Sequence, residues 1–186
     1  MTNAAVVPHL VEPHVTYRDS FLEGLQALQS EGLHPEIDFA RTKANFEGMI
    51  VRPRQHVVTT VRSLLPVGFV PWAEWWLVEG QIWLGRGGVR FELNDHLWRL
   101  GGHIGYEIAP AYRRRGHGTL ICRLLCAEAR KIGLERALIT CDETNVGSRR
   151  IIEANGGVRD DSFDSFDRGV RKLRFWVDLR PSVTHF

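Results

Sequence analysis

The chain has 186 residues, of which 44% are apolar and 25% charged. These fractions are typical of a soluble globular protein, and the length suits one folded domain, which we expect to cover residues 1–186. The net charge of +2 is too small for the basic face that nucleic-acid binding requires. No apolar run approaches the roughly 20 residues that cross a bilayer.

The cysteine pattern argues against a metal site. The three cysteines, Cys122, Cys126 and Cys141, have no zinc-like spacing. Cys122 and Cys126 share one face of a predicted helix, where we expect them to pack as small apolar residues. The N-terminus also lacks the features of a signal peptide. We therefore expect a reducing, cytoplasmic setting and no bound metal.

The first 70 residues carry mostly helical patterns. A short strand is predicted over Val6–Glu12, followed by a helix over Tyr17–Gln29 whose apolar residues form one stripe. Residues 32–44 are predicted to be a loop. Residues 45–65 are predicted to be helical in two pieces, because Pro53 interrupts a continuous helix.

From Trp72 onward the pattern favours strands interleaved with two helices. Glu79-Gly80 is a two-residue turn signal and predicts a hairpin. The loop after residue 160 is predicted to have no regular structure. The predicted strands are Ala73–Val78, Gln81–Phe91, Gly102–Ile108, Arg136–Cys141, Val158 and Lys172–Leu179, and the predicted helices are Leu120–Lys131 and Asn145–Ala154. This order predicts a mixed α/β fold with antiparallel hairpins around one β-loop-α-β unit.

The most distinctive segment is Pro110–Thr119, which reads P-A-Y-R-R-R-G-H-G-T between a predicted strand and a predicted helix. Amide groups at a helix start have no partner within the helix, and the helix dipole attracts anions there. Three arginines add positive charge. Two glycines let the backbone approach a bulky anion closely. The segment therefore predicts a phosphate-binding loop.

This loop is neither a G-x-x-x-x-G-K-[ST] loop nor a G-x-G-x-x-G loop after a strand. It resembles the acyl-CoA motif [Q/R]-x-x-G-x-[G/A] of the GCN5-related N-acetyltransferase (GNAT) family, matched by Arg113–Gly118. The later family motif N-x-x-[A/S], followed by a helix and a glycine turn, is matched by Asn145–Ser148 and Asn155–Gly157. The similarity extends from about Trp75 to Gly157 and includes features of a branch whose substrates are poorly defined.

The resemblance implies a splayed, mostly antiparallel sheet with helices on both faces, and acetyl-CoA bound in the split. It implies that backbone amides hold the pyrophosphate, that strand and loop residues contact pantetheine, and that no metal takes part. The implied cofactor residues are Ile108, Pro110, Arg113, Arg115, Gly116, His117, Gly118, Thr119, Asn145 and Ser148.

The implied reaction is direct attack of a primary amine on the thioester. An alkyl ammonium has a pKa of about 10.4, so its deprotonation at pH 7 costs about 4–5 kcal/mol unless a base assists. Glu107, at the end of the strand before the loop, is the first candidate for this base, although a structural ion pair explains a glutamate there equally well. Asp142 and Glu143 are second choices, and His103 lies on the same strand face as Glu107.

One family feature is missing. A tyrosine that protonates the leaving thiolate often stands seven residues after the motif asparagine, and here that position is Ile152. Water, Cys141 or Tyr106 remains as donor, or the thiolate leaves unassisted, since a thiol of pKa about 8.5 is a good leaving group.

Three hypotheses about the function therefore remain. The first is an acetyl-CoA-dependent N-acetyltransferase acting on a small-molecule or peptide amine, with the oligomeric state open and a homodimer as one option. The second is an acyl-CoA sensor without catalysis, which the missing tyrosine favours slightly. The third, another phosphate-binding protein, is disfavoured because the loop has no lysine followed by a Ser or Thr. Among the tryptophans, Trp75 and Trp76 point to opposite faces of their strand, so we expect one of them in the core, while the other packs in the core as well or lines an acceptor pocket.

Overall fold

A computed structural model describes residues 7–51, 65 and 67–181 of the chain. Its centre is one eight-stranded sheet in the order β1-β2-β3-β4-β5-β8-β6, with β7 paired to β8. The strands are β1 (His9–Val11), β2 (Trp72–Glu79), β3 (Ile82–Arg90), β4 (Ile104–Ile108), β5 (Arg136–Asp142), β6 (Val158–Arg159), β7 (Ser165–Asp167) and β8 (Val170–Asp178).

The sheet opens between β4 and β5. These two strands are parallel and are paired only at Ile104 and Ile139, whereas the other neighbouring strands pair antiparallel. Beyond that point the strands separate. The predicted fold class, a splayed and mostly antiparallel sheet, is confirmed.

Helices cover both faces of the sheet. On one face α1 (Arg18–Ser30) buries Phe21 and Leu25 against Trp76 and Trp83. On the other face α3 (His117–Lys131) buries its apolar side, and α4 (Val146–Ala154) packs beside α3. The apolar stripes that predicted these helices therefore face the two halves of the core.

The predicted loop over residues 32–44 is partly wrong, because α2 (Phe39–Ala44) forms there. Asp38 starts it: its side chain accepts a hydrogen bond from the Arg41 amide, as an N-cap does. Residues 46–51 are also helical, and the remainder of the predicted two-piece helix lies outside the described residues.

The predicted hairpin is confirmed, with its turn at Gly80-Gln81, one residue later than expected. Gly80 has φ of 59°, which explains the glycine. The loop after residue 160 was predicted without strands, but Ser165–Asp167 pairs with β8 as β7. Its three residues are too few for a recognisable alternating pattern.

No helix in the described part of the chain is both long and apolar enough to cross a membrane. Within the same residues, no group of three or more His, Cys, Asp or Glu side chains is placed to hold a metal ion.

Candidate active site

The split between β4 and β5 exposes backbone groups at the edge of β4. The Ala109 amide bonds to the Leu84 carbonyl of β3. Because successive backbone groups of a strand point to opposite edges, the amides of Tyr106 and Ile108 point toward the split. The parting of β5 therefore leaves a row of main-chain donors for an extended ligand.

The glycine-rich loop ends at the start of α3. Gly116 is the N-cap residue, with φ of 85°, and no atom lies within 4 Å of the position that a Cβ would occupy there. The first backbone bond of the helix runs from the Leu120 amide to the Gly116 carbonyl. The amides of His117, Gly118 and Thr119 precede it and lack helical acceptors. The helix thus starts three residues earlier than predicted, inside the loop.

The side chains of the loop have different roles. Arg113 donates from Nε to the Ile108 carbonyl at 3.0 Å and pairs with Glu31 at the end of α1 at 2.8 Å. Arg113 therefore braces the loop against β4 and α1. His117 Nδ1 lies 3.0 Å from the Tyr112 carbonyl, and Arg115 lies over the Tyr112 ring. Pro110 begins a short 3-10 turn directly after β4.

The second motif forms the start of α4. Asn145 is its N-cap, and its side-chain oxygen accepts from the Ser148 amide at 2.9 Å. Ser148 Oγ lies 3.2 Å from the Tyr106 hydroxyl across the split. Ile152, one turn further along α4, is fully buried. Tyr106 therefore brings a hydroxyl from the sheet to the helix face that carries Ile152.

These parts enclose a cleft of about 450 Å³. Five of the predicted cofactor residues line it: Ile108, Arg113, Gly118, Asn145 and Ser148. The other five, Pro110, Arg115, Gly116, His117 and Thr119, lie in the adjoining loop and the first turn of α3. Gly118 also has a packing role, because a Cβ there would lie 2.5 Å from Ile151 of α4.

Glu107 sits at the end of the cleft in a network of charged groups. Arg86 Nε donates to one carboxylate oxygen at 2.5 Å, and His34 Nε2 lies 2.6 Å from the other. His34 Nδ1 lies 3.3 Å from the exposed Glu36. Glu107 therefore makes the ion pair expected of a structural glutamate, and it also lines the cleft, where a base would have to lie.

A second cavity of about 320 Å³ lies on the α1 face of the sheet. It shares Tyr106 and Glu107 with the cleft. Trp72, Glu74 and Arg90 form its other walls. Trp76 is instead buried in the core, and Trp75 packs partly buried against the opposite core cluster, so the tryptophan of this cavity is Trp72.

The remaining titratable candidates lie elsewhere. His103 is buried, and its Nδ1 accepts from the Leu138 amide at 2.9 Å. Asp142 pairs with Lys172, and Glu143 lies 3.5 Å from Arg171. Cys141 is buried, and burial raises its pKa to about 11.

The sequence did not predict a place in the site for three of the residues that line the second cavity: His34, Arg86 and Arg90. His34 reaches Glu107 across 73 residues of sequence, and Arg86 reaches it across 21. The alternation of β3 does place Arg86 and Arg90 on one face, which was the available signal. No local pattern marks His34, which lies in an irregular loop with φ of 53°.

A splayed sheet with a phosphate-type loop at the split and two cavities meeting at one glutamate defines an acyltransferase of the acyl-CoA-binding type. A family model described as an acetyltransferase (GNAT) domain matches residues 43–158. The chain therefore belongs to the GNAT acetyltransferases. A search among curated proteins finds no match.

Solved structures with the same fold are acetyltransferases with different acceptors. The Microcin C7 self immunity acetyltransferase MccE, in complex with acetyl-CoA and AMP, is 14% identical with a TM-score of 0.63, over 95% of this chain and 93% of that one. The ribosomal L7/L12 α-N-protein acetyltransferase RimL, in complex with coenzyme A, is 10% identical with a TM-score of 0.64, over 96% of each chain. A spermidine N-acetyltransferase SpeG chimera from Vibrio cholerae and hSSAT is 12% identical with a TM-score of 0.61, over 92% and 95%.

Proposed function

We propose that this protein is an acetyl-CoA-dependent N-acetyltransferase, acting as a single domain over residues 1–186. It transfers the acetyl group to a primary amine by direct attack while both substrates are bound. The observation that carries the proposal is the meeting of the two cavities at Tyr106 and Glu107. One cavity is lined by residues of the glycine-rich loop, and the other lies on the α1 face of the sheet.

The residues of the cleft fit the proposed cofactor. Gly116 leaves open space where a Cβ would stand, so the amides of His117, Gly118 and Thr119 are accessible to a pyrophosphate. The Ile108 amide and the Asn145 side chain would hold the pantetheine arm. When bound, acetyl-CoA supplies an acetyl thioester, whose carbon is the electrophile.

Glu107 is the proposed base. An ammonium group that enters the second cavity meets this carboxylate, which accepts its proton. His34 contacts Glu107 on one ring nitrogen and Glu36 on the other, so it connects the base to the protein surface. The neutral amine would then form the C–N bond as the C–S bond breaks, and its second proton would pass to the departing sulfur, so that the products are the N-acetyl amide and the free thiol.

Tyr106 is proposed to stabilise the leaving thiolate by a hydrogen bond. Burial raises the pKa of Tyr106 well above its usual value, so this phenol keeps its proton. Ser148 Oγ positions the hydroxyl. A hydrogen bond is sufficient, because the thiol of pKa about 8.5 leaves easily.

A thermal-shift screen with acetyl-CoA, CoA, ATP and NAD tests the proposal. A ligand at 100 times its Kd adds about 2.7 kcal/mol of stability, which for a domain of this size raises Tm by roughly 5–11 °C. We expect that rise with acetyl-CoA and CoA, together with CoA release on a panel of amines. A rise with ATP alone would refute the proposal, and a CoA rise without turnover on any amine would favour an acyl-CoA sensor.

A further inference from the structure

The cavity on the α1 face contains an arginine that the proposed chemistry does not use. On β3, Arg86, Gly88 and Arg90 follow one another at two-residue spacing and so share the face that lines this cavity. Arg86 is engaged by Glu107. Arg90 donates from Nη1 to the carbonyls of Gly101 and Gly102, at 3.3 and 3.1 Å.

Arg90 lacks a carboxylate partner. No acidic side chain of the described residues lies within 4.0 Å of its guanidinium, whereas Arg86 pairs with Glu107 and Arg113 pairs with Glu31. Among the described residues, the side-chain hydrogen bonds of Arg90 both come from Nη1, so its Nε and Nη2 remain as donors on a side chain that lines the cavity. A cation with free donors facing a cavity is a site for an anion.

The floor of the cavity leaves room for a ligand beside Arg90. Gly88 and Gly105 face each other across β3 and β4. The Trp72 ring covers Gly88, at 3.2 Å from the position of a Cβ, whereas the nearest atom to a Cβ on Gly105 is Arg90 Nη1 at 3.9 Å. The guanidinium therefore lies over the bare backbone at Gly105, two residues or about 7 Å from Glu107 along the strand.

The charged groups of the cavity are partly desolvated. Burial lowers the pKa of Arg90 and raises the pKa of Glu74, which lines the same cavity and accepts from Trp76 Nε1. Partial desolvation strengthens the attraction between Arg90 and an anion placed against it.

From this geometry we infer that the acceptor is an amine that also carries an anionic group, a carboxylate or a phosphate, and that Arg90 binds that group. The inference rests on the proposed function and specifies its acceptor. The amine lies at Glu107 and the anion at Arg90, with the bare backbone of Gly105 beneath. The rest of the molecule has room in an adjoining cavity of about 450 Å³ that shares Trp72, Glu74 and Arg86.

Matched amines test the inference. Each pair differs only in the anionic group: an amino acid against its carboxamide, an aminoalkanoate against the amino alcohol, and an aminoalkyl phosphate against the same amino alcohol. We expect kcat/KM to be at least tenfold higher for the anionic member with the parent protein. Whichever of the carboxylate and phosphate series gives the higher value identifies the anion. A preference for neutral amines or for polyamines would overturn the inference.

Arg90→Gln tests the residue. We expect it to lower kcat/KM for the anionic member by roughly 10- to 100-fold, as for loss of a charged hydrogen bond, and to change the neutral member by less than about threefold. Arg123→Gln is the control, since Arg123 is exposed on α3 and lines neither cavity. An equal loss for both members of a pair would refute a role in binding the anion.

Gly105→Val and product binding separate this inference from the proposed function. The valine side chain enters open space on the cavity floor, so we expect loss of acetylation with the acetyl-CoA thermal shift retained. Titration of the N-acetylated anionic product, in the presence of CoA, should saturate with the parent protein and fail with Arg90→Gln. Absence of any acetyl-CoA shift in the parent refutes the proposed function, whereas a retained shift with equal product binding in Arg90→Gln refutes only the anion site.

Discussion

The carboxylate of Glu107 is contacted by side chains from two distant parts of the chain. It lies between Arg86 of β3 and His34 of the loop after α1. The side chains of both partners are largely buried, with an exposed fraction of 21% for Arg86 and 25% for His34. Such a carboxylate is held in one orientation toward the junction of the two cavities, which a base needs.

Replacing Glu107 should affect turnover more than cofactor binding. Glu107→Gln keeps the size and one oxygen acceptor for Arg86 but cannot accept a proton from the amine, so we expect kcat to fall by roughly 10²- to 10⁴-fold. The Kd for acetyl-CoA should stay within about threefold. Steady-state kinetics and thermal shifts measure the two quantities.

Tyr106→Phe provides the comparison for Glu107→Gln. It removes only a hydrogen bond to a good leaving group, so a smaller loss, roughly tenfold, is expected. If Glu107→Gln changed kcat no more than Tyr106→Phe does, with an unchanged pH profile, the base would have to be assigned to another residue.

At the level of secondary structure, the split depends on where β4 and β5 stop pairing. His103 stands just before that point and accepts from the Leu138 amide, so it ties the start of β4 to β5. Burial, followed by the charges of Arg90 and Arg136, lowers the pKa of His103 to about 4. The native protein therefore keeps this imidazole neutral as an acceptor. Protonation of Nδ1 would place an N–H donor against the N–H of Leu138 and break the hydrogen bond.

This shift predicts a loss of stability in acid. Between the unfolded pKa of about 6.5 and the native pKa of about 4, the unfolded chain binds a proton that the native state does not. Stability should therefore fall as pH drops through this window, by about 2–3 kcal/mol from this group. His103→Asn keeps an acceptor for Leu138 and removes the titration, so its unfolding free energy should depend less on pH.

Denaturant unfolding of parent and variant at several pH values between 4 and 7 gives the difference, in which the other titrating groups cancel. His96→Asn, at an exposed position, is the control. Identical pH slopes for the parent and His103→Asn would show that His103 titrates normally.

For the whole molecule, the cavity on the α1 face and the cleft at the split of the sheet meet at Tyr106 and Glu107. Both substrates could therefore be bound together. Cys122 and Cys141 are both buried. The hydrogen bond with Cys126 and burial raise the pKa of Cys122, and burial raises the pKa of Cys141 to about 11, which makes both thiols poor nucleophiles for a covalent route.

This arrangement predicts sequential kinetics. Initial rates with varied acetyl-CoA and amine should give intersecting double-reciprocal lines. Parallel lines, or a protein mass increased by one acetyl group after mixing with acetyl-CoA alone and located on a cysteine, would instead indicate a covalent intermediate.

Local patterns sufficed for most elements and for the cofactor loop. The apolar stripe of α1 and the run of Pro110–Thr119 are signals contained within a few turns of chain. Helix α2 was predicted as loop because the helix that Asp38 caps has only six residues, too few for a periodic pattern. The late strand β7 is shorter still.

What the sequence by itself determined is the family and the positions of its motif residues, because these signals lie close together in the chain, and the break in the sheet followed only from the resemblance to that family. The tertiary structure alone decided which groups surround Glu107 and that Arg90 faces the same cavity as Trp72. The physical reason is that these contacts join His34, β2, β3 and β4 across long stretches of chain. Their distances are set by the packing of the sheet, and no periodicity or local motif encodes them.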